Sequence, residues 1–128
     1  MAFLPYSYEN GQPCPFEYHK LASAGDITVG LCMALEDGKA ALSAKPDYIC
    51  LREEINAAAD TLVPLMHIGA GVIFEAPLAA ASDSLAPGSL CDVSADGLAI
   101  APTGTNKNIM IITMDGTAKG DLCRCRFV

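Results

Sequence analysis

Two similar stretches set the pattern of the chain. Residues 31–41 read LCMALEDGKAA and residues 90–100 read LCDVSADGLAI. Each is an apolar run, an Asp-Gly pair and a second short apolar run. Asp-Gly between apolar runs is a strong hairpin signal, because a two-residue type I′ turn needs positive φ at both central positions. The pattern therefore predicts β-hairpins turning at Asp37-Gly38 and Asp96-Gly97. Leu31/Leu90, Cys32/Cys91, Asp37/Asp96, Gly38/Gly97 and Ala40/Ala99 are identical at a constant offset of about 59. Similar elements follow in both copies. After the first come strands over 48–52 and 61–67. After the second come strands over 108–114 and 121–127, joined at Asp115-Gly116. Two copies are too few for a stacked solenoid and are expected to close on each other. The expected fold is mainly β: a small β-barrel or β-sandwich built from two pseudo-repeated hairpin units, 26–75 and 86–128, with an extended N-terminal arm.

That arm, residues 1–24, has neither a helical nor a strand period. It holds Phe3, Tyr6, Tyr8, Phe16 and Tyr18, five of the eight aromatic residues, together with Pro5, Pro13 and Pro15. Proline fixes φ and removes a donor, so an extended segment is expected rather than a helix or a central strand. Aromatic side chains gain much from burial. The segment is thus expected to lie on a surface, either its own domain or a neighbouring subunit. The single β domain is expected to span 25–128. Within it, 53–60 reads as a loop with at most one helical turn, 72–75 as a strand, and 76–88 as an Ala-rich connector with a short helix near Ser82 to Ser84.

Composition narrows the function classes. The chain has 128 residues, 52% hydrophobic and 18% charged, which fits one globular domain with a real core. No apolar run approaches the roughly 18 residues of a membrane helix. The first residues lack the basic and apolar regions of a secretory signal. A net charge of −7 opposes binding to a phosphate backbone. Lys107, Lys119, Arg124 and Arg126 cluster late in the chain and read as a solvated strand face. Six cysteines without a signal fit a reducing compartment and buried free thiols. Cys123 and Cys125 alternate with Phe127 on one strand face, a core pattern. They do not form a zinc spacing.

Catalytic signatures are absent. The two histidines, His19 in the arm and His67 after a strand, have no carboxylate at a spacing that marks a catalytic pair. No nucleophile elbow, metalloprotease helix, phosphate loop or dinucleotide motif occurs. Glu53-Glu54 is a pair of adjacent carboxylates that are expected to point apart. No cofactor is expected.

The later part of the chain resembles the head decoration, or capsid cement, proteins of tailed bacteriophages. The resemblance lies in Gly71-Val72-Ile73-Phe74-Glu75-Ala76-Pro77, in Pro87-Gly88 through Asp92, and in Asp115-Gly116-Thr117-Ala118-Lys119-Gly120-Asp121, and it extends over about 25–128. The longer aromatic arm and the six cysteines depart from that family's texture. The resemblance implies a structural virion protein without an active site, seated as an oligomer, often a trimer, on the outside of the capsid. There it would bridge neighbouring major capsid subunits, after synthesis in the bacterial host cytoplasm. An N-terminal segment commonly touches the shell in that family, which would give Phe3, Tyr6, Tyr8, Phe16 and Tyr18 a role in capsid or subunit contact. Many modest contacts repeated by symmetry supply avidity. Two other readings stand beside it: a β-barrel holding a small ligand with the arm as lid, and a small β-barrel enzyme using His67 with a cysteine or carboxylate.

Overall fold

The structure is a computed structural model that describes residues 2–8, 15–69 and 71–128. It is mainly β, with no helix among the described residues. In chain order the strands are β1 (Leu4–Tyr8), β2 (Phe16–Lys20), β3 (Gly25–Ile27), β4 (Cys32–Glu36), β5 (Lys39–Leu42), β6 (Tyr48–Cys50) and β7 (Glu54–Ala57). They continue with β8 (Leu62–His67), β9 (Val72–Pro77), β10 (Leu90–Val93), β11 (Ile100–Ala101), β12 (Ile109–Met114) and β13 (Leu122–Phe127). A six-stranded sheet runs β1-β9-β13-β12-β10-β11, a five-stranded sheet runs β2-β8-β6-β4-β5, and β3 pairs with β7. All strand pairings are antiparallel.

These sheets stack as layers. The inward face of the six-stranded sheet (Phe74, Cys91, Ile109, Ile111, Cys123 and Cys125) packs in one core with Cys32, Ile49 and Met66 of the five-stranded sheet. The other face of the five-stranded sheet carries Met33, Tyr48, Cys50, Val63 and Leu65. It packs against Ile27 of β3 and Ala57 of β7. Tyr48, Ile49 and Cys50 are all buried, so β6 is apolar on both faces, as a middle layer requires.

The two large sheets follow one plan. β2-β8-β6-β4-β5 matches β9-β13-β12-β10-β11 strand for strand, and the registers coincide. Glu17↔Leu65 corresponds to Phe74↔Cys125, Cys50↔Leu65 to Ile111↔Cys125, Met33↔Tyr48 to Cys91↔Ile109, and Leu35↔Ala40 to Val93↔Ile100. The parallel bridges Leu21↔Ala40 and Leu78↔Ile100 correspond as well. So do the bonds from Asp60 N to Leu21 O and from Gly120 N to Leu78 O, both 2.9 Å. This is not the repeat suggested by the identities at constant offset. Met33, not Cys32, occupies the place of Cys91, and the matching segments are bounded by β2–β8 and β9–β13 rather than by 26–75 and 86–128. A shift of one residue in a strand exchanges the two faces, so the offset of the identities and the register of the sheets describe different pairings.

Several local expectations change. The stretch expected to be an extended arm lying on a surface pairs into both sheets of its own chain: β1 along β9 and β2 along β8. Both are edge strands, which is where a Pro-bearing segment can pair without breaking a ladder. Residues 53–60 form β7 and a turn. Asn56 and Asp60 adopt positive φ there, and Asn56 N donates to Asp26 Oδ1 at 2.8 Å. Residues 76–88 make no helix, because their amides are used elsewhere. Leu78 N bonds to Asp121 O, Ala79 N to Ile100 O and Ser82 N to Thr117 O.

The three Asp-Gly pairs differ. Asp37-Gly38, with φ of 50° and 79°, is a tight turn between Glu36 and Lys39, as a type I′ hairpin demands. Asp96-Gly97 lies instead inside a longer loop between Val93 and Ile100. There Asp96 Oδ1 accepts from the Leu98 amide and the Ser94 hydroxyl. Asp115-Gly116 begins the loop from β12 to β13, whose positive φ falls on Gly120. Asp121 Oδ2 accepts from Ala118 N in that loop and leaves no room for a Cβ at Gly116.

Phe3 is fully buried in the main core, 5.7 Å from the ring of Phe127, which meets Phe74 edge-on at 5.5 Å. Its amide donates to Gly30 O at 3.1 Å. Gly30 has φ of 92°, and a Cβ there would meet Ala2 and the Phe3 backbone within 3 Å. Phe3→Ala should lower stability by about 3–5 kcal/mol, the usual cost of deleting a buried phenylalanine ring. Chemical denaturation should show a lower midpoint. Cys32, Cys50, Cys91, Cys123 and Cys125 are free and buried, and Cys14 lies outside the described residues. Burial pushes all five thiols up, Cys123 to about 11. These five should react with a thiol-specific disulfide reagent at pH 8 only after denaturation.

Candidate functional site

The aromatic residues expected to make outside contacts divide three ways. Phe3 is sealed in the core, and Tyr8 packs against that core with its hydroxyl 4.0 Å from Met66 Sδ. Phe3 presents no exposed surface in this chain, and Tyr8 is half-buried. Tyr6 stays exposed and lies 5.0 Å over the Arg124 guanidinium. Arg124 also bonds to Glu75 Oε2 at 2.9 Å and Asp115 Oδ1 at 2.6 Å. The late basic cluster is therefore not an array of unopposed charges at Arg124. Phe16 and Tyr18 remain exposed, at 58% and 60%, and touch edge to face with ring centres 6.2 Å apart. Both sit on β2, the edge of the five-stranded sheet.

The opposite face of β2 carries Glu17 and His19. Glu17 gathers both histidines of the chain and a tyrosine. Glu17 Oε1 accepts from His19 Nε2 at 2.7 Å and from the Tyr48 hydroxyl at 2.7 Å. His67 Nε2 stands 3.3 Å from Glu17 Oε2. The Tyr48 ring lies 4.7 Å from that of His67 and 5.7 Å from that of His19. Bonds from His19, then Tyr48, outweigh the cost of desolvation, with His67 adding to them, and hold the Glu17 carboxyl at about 2. The same carboxylate holds the Tyr48 phenol above its ordinary value.

Sequence spacing missed this constellation. Glu17-x-His19 lies on one strand face, Tyr48 on a second strand and His67 on a third; only the order β2-β8-β6 brings them together. The one legible hint was Glu17-x-His19, a period-two pair.

The shared strand plan adds a contrast. Glu17, His19, Tyr48 and His67 occupy the places that Phe74, Ala76, Ile109 and Phe127 hold in the six-stranded sheet. There the same positions form the core under Phe3. The fold therefore accepts apolar residues at these sites, and one sheet has a polar, half-open cluster instead. Clefts open to solvent lie beside it. One of about 370 Å³ is lined by Pro46, Asp47, His67, Ile68, Gly69, Phe127 and Val128. Among the described residues no group of His, Cys, Asp and Glu has the geometry to hold a metal ion. The five buried thiols are held protonated, so none stands beside His67 as a thiolate.

Comparison with family models, with curated proteins and with solved structures finds no match.

Because the folded Glu17 carboxyl is depressed, it contributes stability above its unfolded value near 4.5 and loses it as pH falls toward about 2. Glu17→Gln should flatten that part of the stability curve, from pH 4.5 down to 2, relative to the parent chain. Urea midpoints across this range measure it.

Proposed function

We propose that the chain is a structural virion protein, without enzymatic activity, that binds the outer surface of a phage capsid. It stabilises the shell by bridging major capsid subunits, and works as a homo-oligomer, a trimer in the simplest form. It is made in the host cytoplasm and resides on the virion. One observation carries the reading: two large aromatic side chains, Phe16 and Tyr18, stand exposed and touching on a sheet edge. Paired exposed aromatics are favoured anchors of protein interfaces. Tyr6 adds a third exposed ring on β1, an edge of the six-stranded sheet. The net charge of −7 opposes a nucleic-acid partner. The family resemblance over 25–128 supports the same class.

A second reading, a small-ligand or catalytic protein, draws support from the Glu17–His19–Tyr48–His67 cluster. It would place a ligand at the edge of β2 beside His67.

Co-sedimentation with mature capsids lacking the protein distinguishes the two. The parent chain should pellet saturably. Joint Phe16→Ser and Tyr18→Ser substitution should weaken pelleting by about a hundredfold or more, since each buried ring is worth about 1.5–3 kcal/mol. Ile55→Ser, an exposed apolar residue on β7 away from that edge, should leave it unchanged. No pelleting of the parent chain would overturn the capsid reading.

A further inference from the structure

The strand β1 displays what the outer edge of this plan accepts. It lies antiparallel along β9, with Leu4↔Glu75, Pro5↔Phe74, Ser7↔Ile73 and Tyr8↔Val72. In the five-stranded sheet the place of β9 is taken by β2, and among the described residues no strand pairs along the outer edge of β2. Carried across by the shared register, the footprint of β1 on residues 72–75 becomes residues 15–18. An edge of this kind presents unpaired backbone donors and acceptors, the template for strand addition.

We propose that β2 receives an extended segment of a partner protein as an added antiparallel strand over residues 15–18, and that this segment bears a lysine or arginine at the place Phe3 holds just before β1. The reason is what lies beneath that position. Phe3 rests on Phe127, whose ring in turn meets Phe74 edge-on within the same core. The matching residues under the edge of β2 are His67 and Glu17. A phenylalanine there would strip water from an ionised carboxylate, a costly loss. A cation would complement it. Glu17 keeps 43% of its side chain exposed, so it can be reached. Alternate side chains of the same strand would meet Phe16 and Tyr18 on the opposite face.

A second copy fits less well. β2 pairing with its own copy about a two-fold axis would bring two Glu17 carboxylates to one edge, a repulsive arrangement. The edge strand β5 offers Lys39, but that ammonium is engaged by Asp60 at 2.8 Å.

This partner assignment rests on β2 being the capsid-facing edge. Its test uses two labelled heptapeptides of residues 2–8, one unsubstituted and one carrying Phe3→Lys, titrated into the full chain by fluorescence polarisation. The Phe3→Lys peptide should bind saturably, about tenfold more tightly than the unsubstituted one. Glu17→Gln should erase that preference. Backbone amide shifts should fall on residues 15–18. Absence of saturable binding, equal binding of both peptides to the parent chain, or shifts at 72–75 instead would overturn the proposal. So would a concentration-dependent dimer that the Phe3→Lys peptide fails to dissociate. The two levels separate cleanly. Capsid pelleting that depends on Phe16 and Tyr18, with neither peptide bound, sinks strand addition and keeps the capsid role. Peptide binding without pelleting sinks the capsid role and keeps strand addition.

Discussion

The five-stranded sheet must be apolar on both faces, and most of the architecture follows from that constraint. One face holds Cys32, Ile49 and Met66 against the six-stranded sheet. The other holds Met33, Tyr48, Cys50, Val63 and Leu65 under β3 and β7. Apolar burial supplies the main driving force, and a sheet buried on both sides draws on it twice. The cost is a run of small and medium side chains with little room for charge. This gives a physical account of the buried cysteines, which behave here as compact hydrophobes between layers. It also explains why Phe3, far from the cores in sequence, is drawn in to close the space beside Phe127 and Phe74.

Edges are the complementary problem. A sheet that ends in water leaves backbone groups unpaired, and proteins usually cover or blunt such strands. Here β1 covers β9 and is held by Phe3 in the core just before it, by Tyr6 over Arg124 at its middle and by Tyr8 against the core at its end. β2 has no such cover among the described residues, and its two faces differ sharply. One carries the exposed pair Phe16 and Tyr18, the other an ionised carboxylate ringed by His19, Tyr48 and His67. The same places in the companion sheet are filled by Phe74, Ala76, Ile109 and Phe127. Because a core is compatible with this backbone, the polar set is not forced by the fold.

Much of the class was legible in the chain. Period-two alternation, Asp-Gly turns and scattered prolines determined an all-β domain, and Asp37-Gly38 determined its hairpin, because a two-residue turn depends only on local φ preferences. The alternation of Cys123, Cys125 and Phe127 likewise set which face of β13 is buried. Three things were decided only by tertiary structure. The pairing register of the two sheets differs by one residue from the alignment of identities, since register answers to which face is buried and not to which letters match. The expected arm became two edge strands, because unpaired extended backbone and bulky rings both gain by docking on a sheet. The Glu17 cluster drew on three strands from distant parts of the chain, and no local spacing encodes a contact made across neighbouring strands.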